Sequence, residues 1–256
     1  MSSDRTFYAV AALVFIASAG ATIAACASMS TMSGMQMPGG WTMSMMWMRM
    51  PDQTWSGAAA SFLGMWIVMM VAMMLPPLLP MLRRYRNAVR VIAPARLARS
   101  TLLAMAGYFL VWSLCGLIVY PIGVALAAIA MKAPALSEVV PFAIGIVVAI
   151  VGALQFTRAK SRQLAWCRGE QQCCGTRSIG TTDALSYGLE LGIRCARCCG
   201  GMMIVLLLIG VMDLGAMAIV TTAITLERVA PSGARTARAI GGITVAAGMS
   251  LLALAL

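Results

Sequence analysis

The chain has 256 residues, 61% of them hydrophobic and only 11% charged, with 19 Lys and Arg against 8 Asp and Glu. So little charge cannot solvate the surface of a water-soluble domain, and the basic residues lie dispersed between apolar segments, which excludes a nucleic-acid-binding module and fits contacts with lipid headgroups. The complete lack of histidine excludes imidazole-ligated metals, histidine triads and histidine-held haem, while 23 Met and 8 Cys leave soft sulfur donors plentiful.

Apolar runs of about 20 residues are long enough to cross a bilayer as helices, and their continuity argues against a barrel. The chain therefore reads as an all-α, polytopic transmembrane helical bundle of about six spans, with five or seven also compatible, in a single integral membrane domain over residues 1–256. The first span covers residues 7–27. Its Ile23-Ala24-Ala25-Cys26 resembles a lipoprotein cleavage box with Cys26 as the lipidated residue, so processing competes with an uncleaved anchor. Residues 28–56 form a methionine-rich extramembrane loop.

The second span, 57–82, contains Pro76, Pro77 and Pro80, which are expected to end or kink its helix. The arginine-rich stretch after it, 83–100, is expected to lie along the membrane surface. Spans three and four cover 101–126 and 139–156. A cysteine-rich polar loop follows at 157–197, then a fifth span at 198–222. A loop with Glu227, Arg228, Pro231, Arg235 and Arg238 precedes the last span, which starts near residue 239. The bias of basic residues places the N-terminus and the cysteine loop in the cytoplasm and the methionine loop outside, in a multi-pass protein of the inner (cytoplasmic) membrane. In that arrangement the loop holding Arg228, Arg235 and Arg238 faces outward, against the bias.

Four constellations are candidates for chemistry. In the methionine loop, Met35, Met37, Met45 and Met46 stand among nine methionines in residues 29–50, a stretch with no acidic residue. Thioethers are neutral, soft ligands that favour Cu(I) and need no deprotonation. An interfacial loop anchored by Trp41, Trp47 and Trp55 is the alternative. In span two, Met65, Met69 and Met73 share one helix face, and Met70 with Met74 begins another, a ladder that suits either helix packing or passage of a soft cation. The third constellation is Cys167, Cys173, Cys174, Cys195, Cys198 and Cys199. The C-x-x-C spacing of Cys195 and Cys198 is common in thiolate metal sites, and Arg194 and Arg197 favour thiolate. Copper(I), zinc and an iron–sulfur cluster are all compatible with these thiols, as are inert buried cysteines. Fourth, Asp213 in an apolar run is costly unless paired or facing water, and so marks an internal site.

Several of these elements together resemble the DUF2182 family of predicted metal-binding integral membrane proteins. The carriers are Ala72-Met73-Met74 with Pro76, Gln155 and Lys160, Cys195-x-x-Cys198-Cys199, Gly210-Val211-Met212-Asp213, and Leu226-Glu227-Arg228, within a resemblance running from about residue 66 to 242. Departures are Asp213 in place of asparagine, Gly200 in place of tryptophan, and a looser first cysteine group at Cys167, Cys173 and Cys174. The resemblance implies a membrane helical bundle and metal binding, with no established reaction.

The favoured expectation is a soft-metal protein that binds copper(I), captured by the methionine loop, passed along Met69, Met70, Met73, Met74 and Asp213, and received by the cysteines. Its partners are the lipid bilayer and a membrane enzyme or complex subunit that takes the metal; nucleic acid is excluded. A thiol redox protein and a non-catalytic assembly subunit are the competing expectations. No nucleotide-binding loop or esterase elbow is present, and the chain is read as a carrier more than an enzyme.

Overall fold

The Leu, Ile, Val, Ala and Gly runs between the basic stretches fold as helices, since only a helix satisfies every backbone polar group within its own segment in hydrocarbon. The computed structural model describes residues 2–30, 34–49, 53–168 and 181–255. Its helices are α1 (Ser2–Ser30), α2 (Trp55–Ile92), α3 (Leu97–Lys132), α4 (Pro134–Leu154), α5 (Arg158–Cys167), α6 (Thr181–Ile209), α7 (Leu214–Val229) and α8 (Gly233–Ala255). Six of them, α1, α2, α3, α4, α6 and α8, are long and apolar enough to cross a membrane. The protein is an all-α, multi-pass bundle, with large apolar side chains such as Leu102, Leu117, Ile118, Ile219 and Ile243 facing outward toward the lipid that such a surface requires.

Helix α2 corrects two expectations. It runs unbroken through Pro76, Pro77 and Pro80 and continues through the arginine stretch to Ile92. Each proline removes the donor to the carbonyl four residues earlier, but neighbouring helices hold a membrane helix together at such points. Its 38 residues reach about 57 Å at about 1.5 Å per residue, well beyond the hydrocarbon thickness, so its arginine end emerges as helix. There Arg90 pairs with Asp4 of α1, and Arg86 lies over the Phe7 ring at 4.3 Å and donates to Thr101 Oγ1 at 3.3 Å. The helix stops at Ala93-Pro94, where a short 3-10 turn over Pro94–Arg96 turns the chain into α3.

Close helix packing rests on glycine. Gly107 meets Leu185 and Leu189, and Gly192 meets Tyr108 and Val111, so α3 and α6 run parallel. Gly145 meets Leu252 while Gly152 meets Gly241 and Val245, so α4 and α8 run antiparallel. Small residues let backbones approach where lipid offers no hydrophobic drive for association. A Cβ on Gly188 would sit 2.1 Å from the Ala104 carbonyl oxygen, whereas one on Gly64 would meet nothing within 4 Å. Gly188→Ala is therefore expected to cost about 1–3 kcal/mol by overpacking. Thermal unfolding in detergent checks this, with Gly64→Ala as the variant that leaves the midpoint unchanged.

These directions settle α7. Helix α4 folds back on α3 across the single residue Ala133, so α8 points the same way as α6, and α7 between them returns along the bundle. Its 16 residues span about 24 Å. The expected fifth span at 198–222 is thus two helices, α6 and α7, broken at residues 210–213. The return also corrects the outward placing of Arg228, Arg235 and Arg238. They lie at the arginine end, where Arg84 donates to the Arg168 carbonyl oxygen at 2.8 Å and Arg168 reaches the Glu227 carbonyl oxygen at 3.4 Å. Arg49 and Lys132 remain at the other end.

The methionine loop is folded. Strands β1 (Met35–Gln36) and β2 (Thr42–Met43) pair antiparallel, Met35 opposite Met43, and a 3-10 turn over Met45–Trp47 follows. The hairpin packs on the α3–α4 corner: Trp41 Nε1 donates to the Ser137 carbonyl oxygen at 3.0 Å, and Ser137 Oγ to the Pro38 carbonyl oxygen at 3.1 Å. Gly39, at φ 93°, takes a conformation side chains avoid, where its backbone lies against Glu138.

Candidate metal centre

The interior is dominated by sulfur. One contiguous buried cluster joins Cys26, Met46, Met69, Met70, Met73, Met74, Cys167, Cys195, Cys198, Cys199, Met202, Met203 and Met217 to aromatic and aliphatic residues. Those thirteen are nearly half of its buried members, far more than gap-filling alone requires. The Met69-Met70-Met73-Met74 ladder of α2 is wholly buried, each residue at most 2% exposed, so it faces the bundle interior and not lipid.

At its centre lies α6. Cys195 and Cys199, one helical turn apart, share a face, with Sγ atoms 3.9 Å apart. Met74 Sδ lies 4.0 Å from Cys195 Sγ, and Tyr108 of α3 donates its hydroxyl hydrogen to the same sulfur at 3.0 Å. Cys198 hydrogen-bonds with Cys199 and, across the helix boundary, with Cys167 of α5. That bond and burial together push the Cys167 thiol above its ordinary pKa. The Arg228 guanidinium donates to Cys167 Sγ. Thiols from α5 and α6, a thioether from α2, a phenol from α3 and a guanidinium from α7 thus converge within one dry core.

A buried ion pair braces this convergence. Lys160 Nζ contacts Glu227 Oε2 at 2.8 Å and donates to the Cys198 carbonyl oxygen at 2.8 Å, and Gln155 Nε2 donates to Glu227 Oε1 at 3.0 Å. Burial alone would discharge Lys160, but charge on Cys198 and the Glu227 carboxylate hold its pKa above the ordinary value. Glu227 therefore pairs with Lys160 of α5, tying α5 and α7 to the cysteine helix.

The predicted site residues divide accordingly. Cys167, Cys195, Cys198, Cys199, Met69, Met70, Met73 and Met74 come together in the core. Cys173 and Cys174 lie outside the described residues. Met37 and Met43 are buried in a separate small cluster with Ala127 and Ala130 of α3, Met46 joins the main core, and Met35 is exposed. An aromatic layer of Trp47, Phe62, Trp66 and Tyr120 stands between hairpin and deep sulfurs, with Phe62 stacked on Trp66 at 5.8 Å and 4.9 Å from Tyr120. The cysteine motif, expected at the start of a span, sits midway along α6.

Asp213 is the clear departure. It is exposed, it is the N-cap of α7, and its Oδ1 accepts from the Ala216 backbone N–H at 2.8 Å. Gly210, at φ 141°, makes the turn that breaks α6 from α7, so the carboxylate sits at a helix end and not within an unbroken span. Loss of such a cap costs about 1 kcal/mol. Asp213→Ala is expected to lower stability by that amount and leave metal binding unchanged, which parallel melting and Cu(I) titration check.

Sequence reasoning missed Tyr108, whose hydroxyl no motif marks, and the meeting of Cys26 Sγ with Met212 Sδ at 3.8 Å. Among the described residues, no group of three or more His, Cys, Asp or Glu is arranged to hold a metal ion; the soft donor that stands beside Cys195 and Cys199 is the Met74 thioether.

Comparison with known proteins gives one result: a family model described as PpoB2, copper chaperone, matches residues 63–251. The match corrects the resemblance drawn from the motifs, since it is to this family and not to DUF2182. No curated protein and no solved structure matches the chain. With most of α2, all of α3 to α7 and most of α8, and hence every core thiol on α5 and α6, inside the matched region, the chain belongs to the PpoB2 copper chaperone family.

Proposed function

We propose that this membrane protein carries Cu(I) on Cys195, Cys199 and Met74 and passes it to a membrane-bound acceptor. The sulfur spacing supports this reading. A metal–sulfur bond of about 2.3 Å places ligands about 4.0 Å apart in a trigonal plane and about 3.8 Å apart in a tetrahedron. The two edges Cys195–Cys199 and Cys195–Met74, at 3.9 and 4.0 Å, each match the separation of two sulfurs bound to one soft ion. Two thiolates and one thioether favour Cu(I) over zinc or an iron–sulfur cluster, both of which draw on more anionic donors.

The surroundings suit a cargo held and released. Tyr108 donates to Cys195 Sγ, and such outer hydrogen bonds orient a ligand and tune its basicity. Cys198 and Cys167 continue the sulfur path from Cys199 toward the arginine end, so Cu(I) can move by exchanging one sulfur for the next without changing oxidation state. With that end cytoplasmic, as the basic bias favours, the protein sits in the inner membrane and the hairpin with exposed Met35 faces outward. Anaerobic loading of detergent-purified protein followed by elemental analysis tests this. One Cu(I) equivalent retained against a competing chelator, with Zn(II) washed out, is expected; retention of Zn(II) in preference to Cu(I) overturns it.

A further inference from the structure

Arg228 differs from the other charges buried in the core. It is only 7% exposed, its Nη2 donates to Cys167 Sγ, and its Nε and Nη1 are closed off from solvent with no hydrogen-bond partner. Lys160 has a carboxylate of its own, because Glu227 pairs with it and accepts from Gln155. Among the described residues, no carboxylate pairs with Arg228. The groups that act on its charge are sulfurs and a phenol: Cys195, Cys199, Cys167 and Tyr108. A buried cation without an anionic partner is strongly destabilising, and within a membrane protein such a group marks function by default.

We propose that Arg228 is the built-in counter-charge of the sulfur site and makes it prefer a monovalent soft ion over a divalent one. This rests on the reading of Cys195, Cys199 and Met74 as the metal site, and adds what selects the charge of the ion. Donor softness separates soft ions from hard ones, but it does not separate Cu(I) or Ag(I) from Cd(II), which is also soft. A fixed guanidinium does, since it repels a divalent ion twice as strongly as a monovalent one. Two thiolates, one monovalent ion and Arg228 together carry no net charge. A divalent ion in the same place leaves one positive charge unmatched in a dry core. The Lys160–Glu227 pair is neutral as a unit and does not alter that balance. A guanidinium does not give up its proton, so the charge stands with or without metal. Even at about 10 Å and an effective dielectric constant of about 20, one unit of charge changes an affinity by more than about tenfold.

The full chain in detergent is offered Ag(I), a stand-in for Cu(I) that air does not oxidise, and Cd(II) at equal free concentrations, then desalted and analysed for both metals. The metal counted is that missing from a variant with serine at both Cys195 and Cys199. Wild type is expected to retain Ag(I) in preference to Cd(II). Arg228→Met, close in length and uncharged, is expected to shift the silver-to-cadmium ratio at least about tenfold toward cadmium. Arg228→Lys keeps the charge without the planar fork and is expected to hold the wild-type ratio. A packing role would weaken both metals together and leave the ratio alone. An unchanged ratio in Arg228→Met, or Cd(II) preferred by wild type, overturns the inference while leaving the sulfur site standing. If Arg228→Met does not fold, Arg228→Lys decides: a ratio moved tenfold toward cadmium with the charge still present overturns it, and a wild-type ratio supports it. Wild type that holds neither Ag(I) nor Cu(I) at these cysteines defeats the metal site itself, and this inference with it.

Discussion

With serine at both Cys195 and Cys199, the Cu(I) equivalent proposed for this site is expected to be lost. Serine is close in size to cysteine, so the α6 face keeps its shape, but its hydroxyl is a hard donor that stays protonated at neutral pH and does not compete for a soft ion. Two of the three sulfurs that lie 3.9 and 4.0 Å apart are removed, and only Met74 remains. Disturbing outer contacts of a metal ligand alone costs about 10–100-fold in affinity, so loss of two direct donors is expected to exceed about 100-fold. Competition with a chromophoric Cu(I) chelator measures it. Cys26→Ser, at the far contact with Met212, is expected to leave the affinity of this site unchanged.

The second large effect concerns stability. Glu227→Gln leaves Lys160 charged in a core where the pair's side chains are 9% and 2% exposed. Removing one member of a buried pair costs about 3–5 kcal/mol, because the remaining charge has lost its partner. Adding Lys160→Met removes that charge, and glutamine keeps the contact with Gln155, so the double variant is expected to recover much of the loss. Thermal melting in detergent decides between outcomes. A double variant no more stable than Glu227→Gln alone contradicts the claim that pairing with Lys160 is what makes Glu227 tolerable there.

What was legible from the residues was what periodicity and composition carry. The bundle, the burial of the α2 methionines and the meeting of Cys195, Cys198 and Cys199 in the core follow from apolar run length, i, i+4 spacing and thiol clustering. What was not legible depends on partners. Pro76, Pro77 and Pro80 read as a helix end or a kink, and the end does not occur because neighbouring helices hold α2 together through them. The break at Gly210 was hidden because Asp213 reads as a lone carboxylate within an otherwise apolar run, and that concealed both the return of α7 and the capping role of Asp213. Arg228, Arg235 and Arg238 contradicted the charge bias under a single fifth span; that conflict was the available signal that the chain turns back. The methionine hairpin adds what composition does not show: Met37, a candidate ligand in sequence, is packed with Met43 under Trp41 against Ala127 and Ala130.

The most direct test of the sulfur-bound cargo is X-ray absorption at the copper edge on protein loaded with one Cu(I) equivalent, with selenomethionine replacing methionine in a parallel sample. The account predicts two sulfurs and one selenium around copper in that sample, near the metal–sulfur distance of about 2.3 Å, and loss of the selenium scatterer in Met74→Leu. A copper shell of nitrogen or oxygen donors, or selenium unaffected by the Met74 substitution, contradicts it.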